Sequence, residues 1–398
     1  MTEAIVSQKP VGRLVGACLL ISGTAIGAAM LALPVSTGRA GLVPSLMTMG
    51  GVWLYLVLAA FYLLEMCLSM PREANLISMA EKTLGRPGKW ITWAAYLFLL
   101  YALNTAYLFG MTTILGPIMQ LDRWQTSIPL IFLFWALLRK GMRFIDGINR
   151  IGMVGFLAAF VLLVLCAIPH VSVPSVTCYN LSAVIPSFGV VLCAFGYHIV
   201  IPSLVSYLDR DVVQCKKAIW IGSGIAFVVY ALWQFISLAV ISDPAVLEAA
   251  YQHGSNSVQL ISQASNSRLI SSVDTSFAFF AMITSFFGVS VALVDFLKDG
   301  CRKKNMTSKM LEATVFAVGF LPPLYFALGY ERIFLVALDF AGAYGVVVLL
   351  ALVPACMVYS KRYIARESSG YQVCGSKALL VFFMAVSVAL LLLQACYL

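Results

Sequence analysis

Apolar runs long enough to cross hydrocarbon recur along this chain, separated by short polar connectors. A membrane helix needs ~20 residues to span the hydrocarbon core. Eleven segments read as such spans: 12–36, 42–69, 90–119, 127–139, 149–169, 185–208, 217–242, 271–297, 310–328, 333–358 and 377–397, the fourth being the shortest. Two of them are interrupted at glycines, at corresponding places in the two halves. The first interruption reads Ser22-Gly23-Thr24-Ala25-Ile26-Gly27-Ala28-Ala29-Met30, with Pro34 beyond. The second reads Ala194-Phe195-Gly196-Tyr197-His198-Ile199-Val200-Ile201-Pro202-Ser203. Unwound backbone is costly in hydrocarbon unless it lines a cavity, and a matched pair of breaks points to a substrate site near mid-membrane.

Composition agrees. Apolar residues make up 61% of the 398 and charged residues 11%, more apolar surface than a soluble domain of this length can hide. A net charge of +9 would suit a nucleic-acid partner in a soluble protein, but placement decides otherwise. Of the 26 lysines and arginines, 22 fall on one side of the expected spans, Lys9, Arg13, Arg302, Lys303 and Lys304 among them. The other side holds Arg39, Arg123, Arg268 and Arg332. This bias puts the N-terminus inside and, after an odd number of spans, the C-terminus outside.

The first apolar stretch reads as a retained helix and not as a signal peptide. The ten cysteines form no C-x-x-C pair. Cys18, Cys67, Cys166, Cys193 and Cys356 read as small buried hydrophobes, and Cys178 falls in an outer loop. Residues Glu73 to Gly85 have helical apolar spacing and a terminal glycine, as in a short surface helix. The polar stretch 243–268 is either a small lid or a solvated loop.

The run Gly16-Ala17-Cys18-Leu19-Leu20-Ile21-Ser22-Gly23-Thr24-Ala25-Ile26-Gly27 to Pro34 resembles the opening of the hydroxy/aromatic amino acid permease family. Phe195-Gly196-Tyr197-His198-Ile199-Val200-Ile201-Pro202-Ser203-Leu204 and Thr284-Ser285-Phe286-Phe287-Gly288-Val289-Ser290, with Asp295-Phe296-Leu297, resemble its sixth and eighth helices. The family includes the bacterial tyrosine- and tryptophan-specific carriers and belongs to the amino acid–polyamine–organocation superfamily. The resemblance spans essentially the whole chain. It implies an all-α integral membrane protein with a LeuT-like 5+5 inverted repeat. In that reading 12–169 and 185–358 are the two five-helix repeats, 377–397 is an extra helix, and spans 1 and 6 are broken. It further implies import of an aromatic amino acid, tyrosine foremost, across a bacterial cytoplasmic membrane with a co-transported cation, usually a proton.

Candidate residues follow from the chemistry of a zwitterion with a ring. Its carboxylate needs donors, which freed N–H groups over Gly23, Thr24, Ala25, Ile26 and Gly27 would supply. The alternative is that Gly23-x-x-x-Gly27 is only a small-residue packing face. Its ammonium needs acceptors, for which carbonyls near Ala194, Phe195 and Gly196 are candidates. Tyr101, Asn104, Tyr107, Tyr197 and Phe286 could wall the ring. His198, a histidine deep in a span, is a candidate for substrate contact or ion coupling, or else a hydrogen-bonded group inside the bundle. Asp339, a carboxylate within the tenth span, is a candidate for ion coupling, or else a polar lock or a residue nearer the outer surface. Thr284 and Ser285 offer hydroxyls to a cation, unless they bond back to their own helix. Arg13 and Asp295 could pair as an inner gate, and Glu65 reads as a snorkelling or capping group.

No cofactor, metal, nucleic acid or obligate protein partner is expected beyond the lipid bilayer and the substrate. There is no Walker motif for ATP drive and no H-E-x-x-H or G-x-S-x-G for an enzyme. Sodium coupling, amino acid exchange and a channel remain the competing readings, the last requiring a selectivity ring.

Overall fold

In the computed structural model, residues 10–72, 74–170, 180–241, 243–265, 267–301, 307–367 and 370–397 are described, and their regular structure is entirely helical. Lys9, Glu73, Cys178, Arg302, Lys303 and Lys304 lie outside them. The chain opens with α1 (Pro10–Ala25), a single 3-10 turn (Ala28–Leu31) and α2 (Leu33–Thr37). Then come α3 (Leu42–Ser69), α4 (Leu76–Met119), α5 (Arg123–Leu138) and α6 (Met142–Ala167). The second interrupted helix is α7 (Val184–Ala194), a 3-10 turn (His198–Val200) and α8 (Ile201–Tyr207). It is followed by α9 (Val212–Val240), α10 (Pro244–His253), α11 (Ser257–Ser265), α12 (Arg268–Cys301) and α13 (Ser308–Gly329). Last are α14 (Ile333–Phe340), a π-helical stretch (Ala341–Leu352), α15 (Val353–Tyr359) and α16 (Lys377–Tyr397).

Among the described residues nine helical stretches are long and apolar enough to cross a membrane. Of the eleven expected spans, the first and fourth fall outside that set. The first stops at the break after Ala25, and α5 has only 16 residues.

Local chemistry explains the boundaries. Asn75 caps α4 by accepting from the Ser78 N–H, and Asp122 with Gln125 forms a capping box on α5. Asp211 caps α9 and Asp243 caps α10. Hydrogen bonds from the Gln214 and Val213 amides hold the Asp211 carboxyl below its usual range. The expected surface helix does not stand apart: it is the first stretch of α4, set off by a kink at Gly85, whose φ of 71° favours glycine. The polar stretch 243–268 folds into α10 and α11 and packs on α2, α9 and α12.

The centre is held by close backbone approach. A Cβ at Gly342 would lie 1.7 Å from the Gly189 carbonyl oxygen, so α7 and the π-helical stretch touch directly. On α6, Gly152 and Gly155 likewise admit Thr284 and Phe280 of α12. Glu65 does not snorkel. It is fully buried and paired through both oxygens with Arg362, while the Val373 N–H donates to it at 2.7 Å. This pair ties α3 to the end of the α14–α15 rod. Arg210 donates to the carbonyls of Cys67, Leu68 and Met70, closing the C-terminus of α3.

Candidate functional site

Both interruptions are real breaks in the hydrogen-bond ladder, and neighbouring helices take up part of what they free. The Ala28 N–H donates to Ser285 Oγ on α12 at 3.0 Å. Trp233 Nε1 donates to the Met30 carbonyl at 3.0 Å, and Ser257 Oγ to the Leu31 carbonyl at 2.8 Å. The Tyr230 hydroxyl sits between the Ala25 carbonyl and the Ala194 carbonyl, the latter at 3.0 Å. One side chain of α9 thus joins the end of α1 to the end of α7. Each such group would cost free energy if buried alone.

Other peptide groups stay free. Among the described residues no hydrogen bond takes up the carbonyls of Gly23, Thr24, Ile26 or Gly196, or the N–H of Ala29. All five residues line one cavity of about 330 Å³, within the range of small-molecule sites. Its remaining wall is mostly apolar: Leu99, Leu100, Leu103, Met153, Val289, Ala292 and Val346, with Tyr96 and Tyr107. Among the described residues no charged side chain lines it. One wall therefore offers bare peptide dipoles and the other offers hydrocarbon and rings. A larger, more open recess of about 440 Å³ at the α4–α5 turn lies away from both breaks.

The cavity reaches toward the side of α8, where Tyr96 packs on Phe296 at 5.0 Å. On the α10–α11 side it is shut. Trp233 packs on Phe277 at 5.3 Å, and Phe277 on Phe156 at 5.2 Å. Above that layer the Arg39 guanidinium lies 3.4 Å from the Tyr251 ring centroid, with Arg332 at 5.3 Å. Arg39 also meets Glu248 at 3.2 Å. The Gln252 amide and Arg39 hold the Glu248 carboxyl below its usual range, and burial pushes the Tyr251 phenol up.

The structure sorts the expected site residues. Gly23, Thr24, Ala25, Ile26, Gly27, Gly196, Tyr107, Thr284 and Ser285 come together around the cavity. Gly27 admits Ser285, whose Oγ would lie 2.7 Å from a Cβ there. Ala194 and Phe195 stand behind the wall, engaged with Tyr230.

Several others point elsewhere. Tyr101 donates to the Val318 carbonyl at 2.7 Å. Asn104 is buried between the Leu100 carbonyl and Ser290. Phe286 packs on Phe134 at 4.5 Å. His198 turns to α3, its Nε2–H donating to the Leu56 carbonyl at 2.8 Å, and it stacks on Tyr197 at 4.7 Å. These four and Tyr197 do not line the cavity.

Asp339 is buried between α14 and α7, where its Oδ1 accepts from the Val190 N–H at 3.0 Å. That is the geometry of a helix–helix lock. Thr284 Oγ1 bonds back to the Phe280 carbonyl at 2.8 Å. The expected gate pair is replaced: Arg13 pairs with Asp209 at 2.8 Å and donates to the Tyr207 carbonyl, while Asp295 is exposed. The turn after α8 brings Asp209 closer to α1 than the end of α12 comes.

Sequence reasoning passed over Tyr230, Trp233, Ser257 and Asn149. Asn149 lines the cavity with a buried Oδ1 that has no partner. The signal for the first two was the spacing Tyr230–Trp233 on one helical face of α9.

A family model described as the tryptophan/tyrosine permease family matches residues 11–394. The Haemophilus influenzae tyrosine-specific transport system 1 is 30% identical over 384 residues, covering 94% of each chain. The tryptophan-specific transport protein of the same organism is 28% identical, again with 94% of each chain covered. Among solved structures, the Eremococcus coleocola manganese transporter superposes with a TM-score of 0.61 at 16% identity, over 99% of this chain and 87% of that one. That likeness concerns the fold alone.

Proposed function

Because the chain belongs to the tryptophan/tyrosine permease family, we propose that it imports an aromatic amino acid, tyrosine foremost, in symport with a proton. The observation that carries this reading is the two-faced cavity. Free peptide groups at both breaks face an uncharged, ring-lined wall. A zwitterion with an aromatic side chain matches both faces. Its carboxylate takes the free Ala29 N–H, its ammonium takes the carbonyls of Ile26 and Gly196, and its ring lies against Leu99, Leu103 and Tyr107. Binding by preorganised dipoles avoids burying a fixed countercharge in the membrane.

In this reading the eleven expected segments all cross a bacterial cytoplasmic membrane, with the N-terminus inside. The two five-helix repeats, 12–169 and 185–358, rock about the site. The described conformation is then open toward the cytoplasm and closed outside by the Trp233–Phe277 layer and the α10–α11 lid. Proton coupling is placed ahead of sodium because at Ser285 a cation would compete with the Ala28 N–H for the hydroxyl oxygen.

Purified protein in proteoliposomes, given an imposed proton or sodium gradient and labelled tyrosine, tests the whole. Expected is proton-driven uptake, competed by aromatic amino acids among the twenty. Uptake driven by sodium alone overturns the coupling, and absence of aromatic competition overturns the substrate.

A further inference from the structure

Between the cavity and the lid lies a layer of buried polar side chains that neither binds substrate nor finds partners. Ser36 Oγ on α2, both amide atoms of Gln234 and Ser237 Oγ on α9, and both carboxyl oxygens of Asp274 on α12 are buried without a hydrogen bond among the described residues. Helix geometry sets their depth. α9 and α12 run antiparallel and meet ring to ring at Trp233 and Phe277. One turn from that contact toward the lid stand Ser237 on one helix and Asp274 on the other. The Trp233–Met30 hydrogen bond, with Leu238 beside Gly38, puts Ser36 at the same level.

Asp274 is the unusual member. It is 1% exposed. Among the described residues, α4, α6, α11, α13 and the Ala28–Leu31 turn, all packed on α12, present no titratable or charged group to it. An unpaired carboxylate charge is expensive in such a place, and the neutral acid is the form that fits. Polar neighbours at the same depth would suit the charged form only once the layer is wet.

We propose that Asp274 takes up the coupling proton, and that the outer side can close over the substrate only when this carboxyl is protonated. With the lid raised, Asp274 is hydrated and exchanges with the outer solution. Closure of the Trp233–Phe277 layer requires that an O–H bond form there, so each closure carries one outer proton inward. After substrate leaves inward, that O–H bond breaks to a water entering from the emptied cavity, the resulting hydronium leaves inward, and the ionised carboxylate, too costly to keep buried, opens the layer. The inference rests on the proton-symport reading and adds the residue that performs it.

Asp274→Asn, a neutral isostere of the acid, separates coupling from binding. Expected is labelled-tyrosine counterflow close to wild type, but accumulation under an imposed pH gradient reduced to the no-gradient level, with Asp274→Glu restoring it. Tyrosine binding to purified protein across about pH 5 to pH 9 should vary in wild type and be flat in Asp274→Asn. Wild-type gradient-driven accumulation in Asp274→Asn, or an unchanged pH profile of binding, overturns the assignment. Loss of counterflow and binding in both variants overturns it in favour of a structural role. Wild-type uptake indifferent to a pH gradient removes the symport reading itself, an outcome visible before any variant is made.

Discussion

Removing one oxygen atom from Tyr230 should weaken substrate binding without unpacking the protein. The hydroxyl is fully buried and shared between the Ala25 and Ala194 carbonyls, the last peptide groups before each break. Tyr230→Phe keeps the ring and its edge contact with Phe195 at 5.1 Å. What is lost is a donor to two buried acceptors. Leaving a buried carbonyl unsatisfied costs ~1–3 kcal/mol. The empty protein can recover part of that by turning either carbonyl into the cavity, but the loaded protein cannot, because substrate fills the space. The penalty therefore falls mainly on the bound state. At about 1.4 kcal/mol per tenfold, it corresponds to a rise in KM of roughly 5- to 150-fold. Initial rates of labelled-tyrosine uptake against concentration, normalised to reconstituted protein, measure it. A Tyr230→Phe protein with a KM within about twofold of wild type would refute the idea that this hydroxyl holds the two breaks in register.

Gly27→Ala places a Cβ 2.7 Å from Ser285 Oγ, so Ser285 must turn and release the Ala28 N–H; uptake should fall at least tenfold while purified protein stays monodisperse, and Ser285→Ala should restore part of the loss. Glu65→Ala leaves Arg362 buried and unpaired, costing ~3–5 kcal/mol; a strongly lowered thermal midpoint is expected, partly recovered when Arg362 is also made apolar. Because the Glu248 carboxyl is held below its usual range, its contact with Arg39 is fully present above that range and is lost only as pH falls through the depressed value. In Asp274→Asn protein, where the protonation of residue 274 no longer acts on closure, lid closure read by solvent accessibility of α10 should therefore not change between about pH 8 and pH 5. Glu248→Gln should change uptake less than twofold, since Glu248 is the exposed partner of the pair. Arg39→Ala should do more, because the buried Arg39 also covers the Tyr251 ring.

The breaks were legible because glycine and proline inside a long apolar run have few structural excuses, and Gly27 and Gly196 do stand at the cavity. The apolar wall was harder to read. Periodicity places Tyr101, Asn104 and Tyr107 on α4, but only tertiary packing decides that Tyr107 meets the site while Tyr101 reaches Val318 on α13. His198 and Asp339 drew attention as ionisable groups in apolar runs, yet both are turned into helix–helix contacts, at Leu56 and Val190. Asp274 escaped notice because Val273-Asp274-Thr275-Ser276 reads as the polar edge of a span, and its depth emerges only from the packing of α9 and α12. Arg13 was read as a gate cation paired with Asp295, while its partner in the structure depends on a turn, at Asp209, that sequence does not locate in space.

The most direct test of the central claim is a structure with tyrosine bound. The carboxylate should lie at about 2.7–3.2 Å from the Ala29 N–H, the ammonium on the carbonyls of Ile26 and Gly196, and the ring against Leu99, Leu103 and Tyr107. Tyrosine bound elsewhere, with both breaks rewound into continuous helices, would contradict the account.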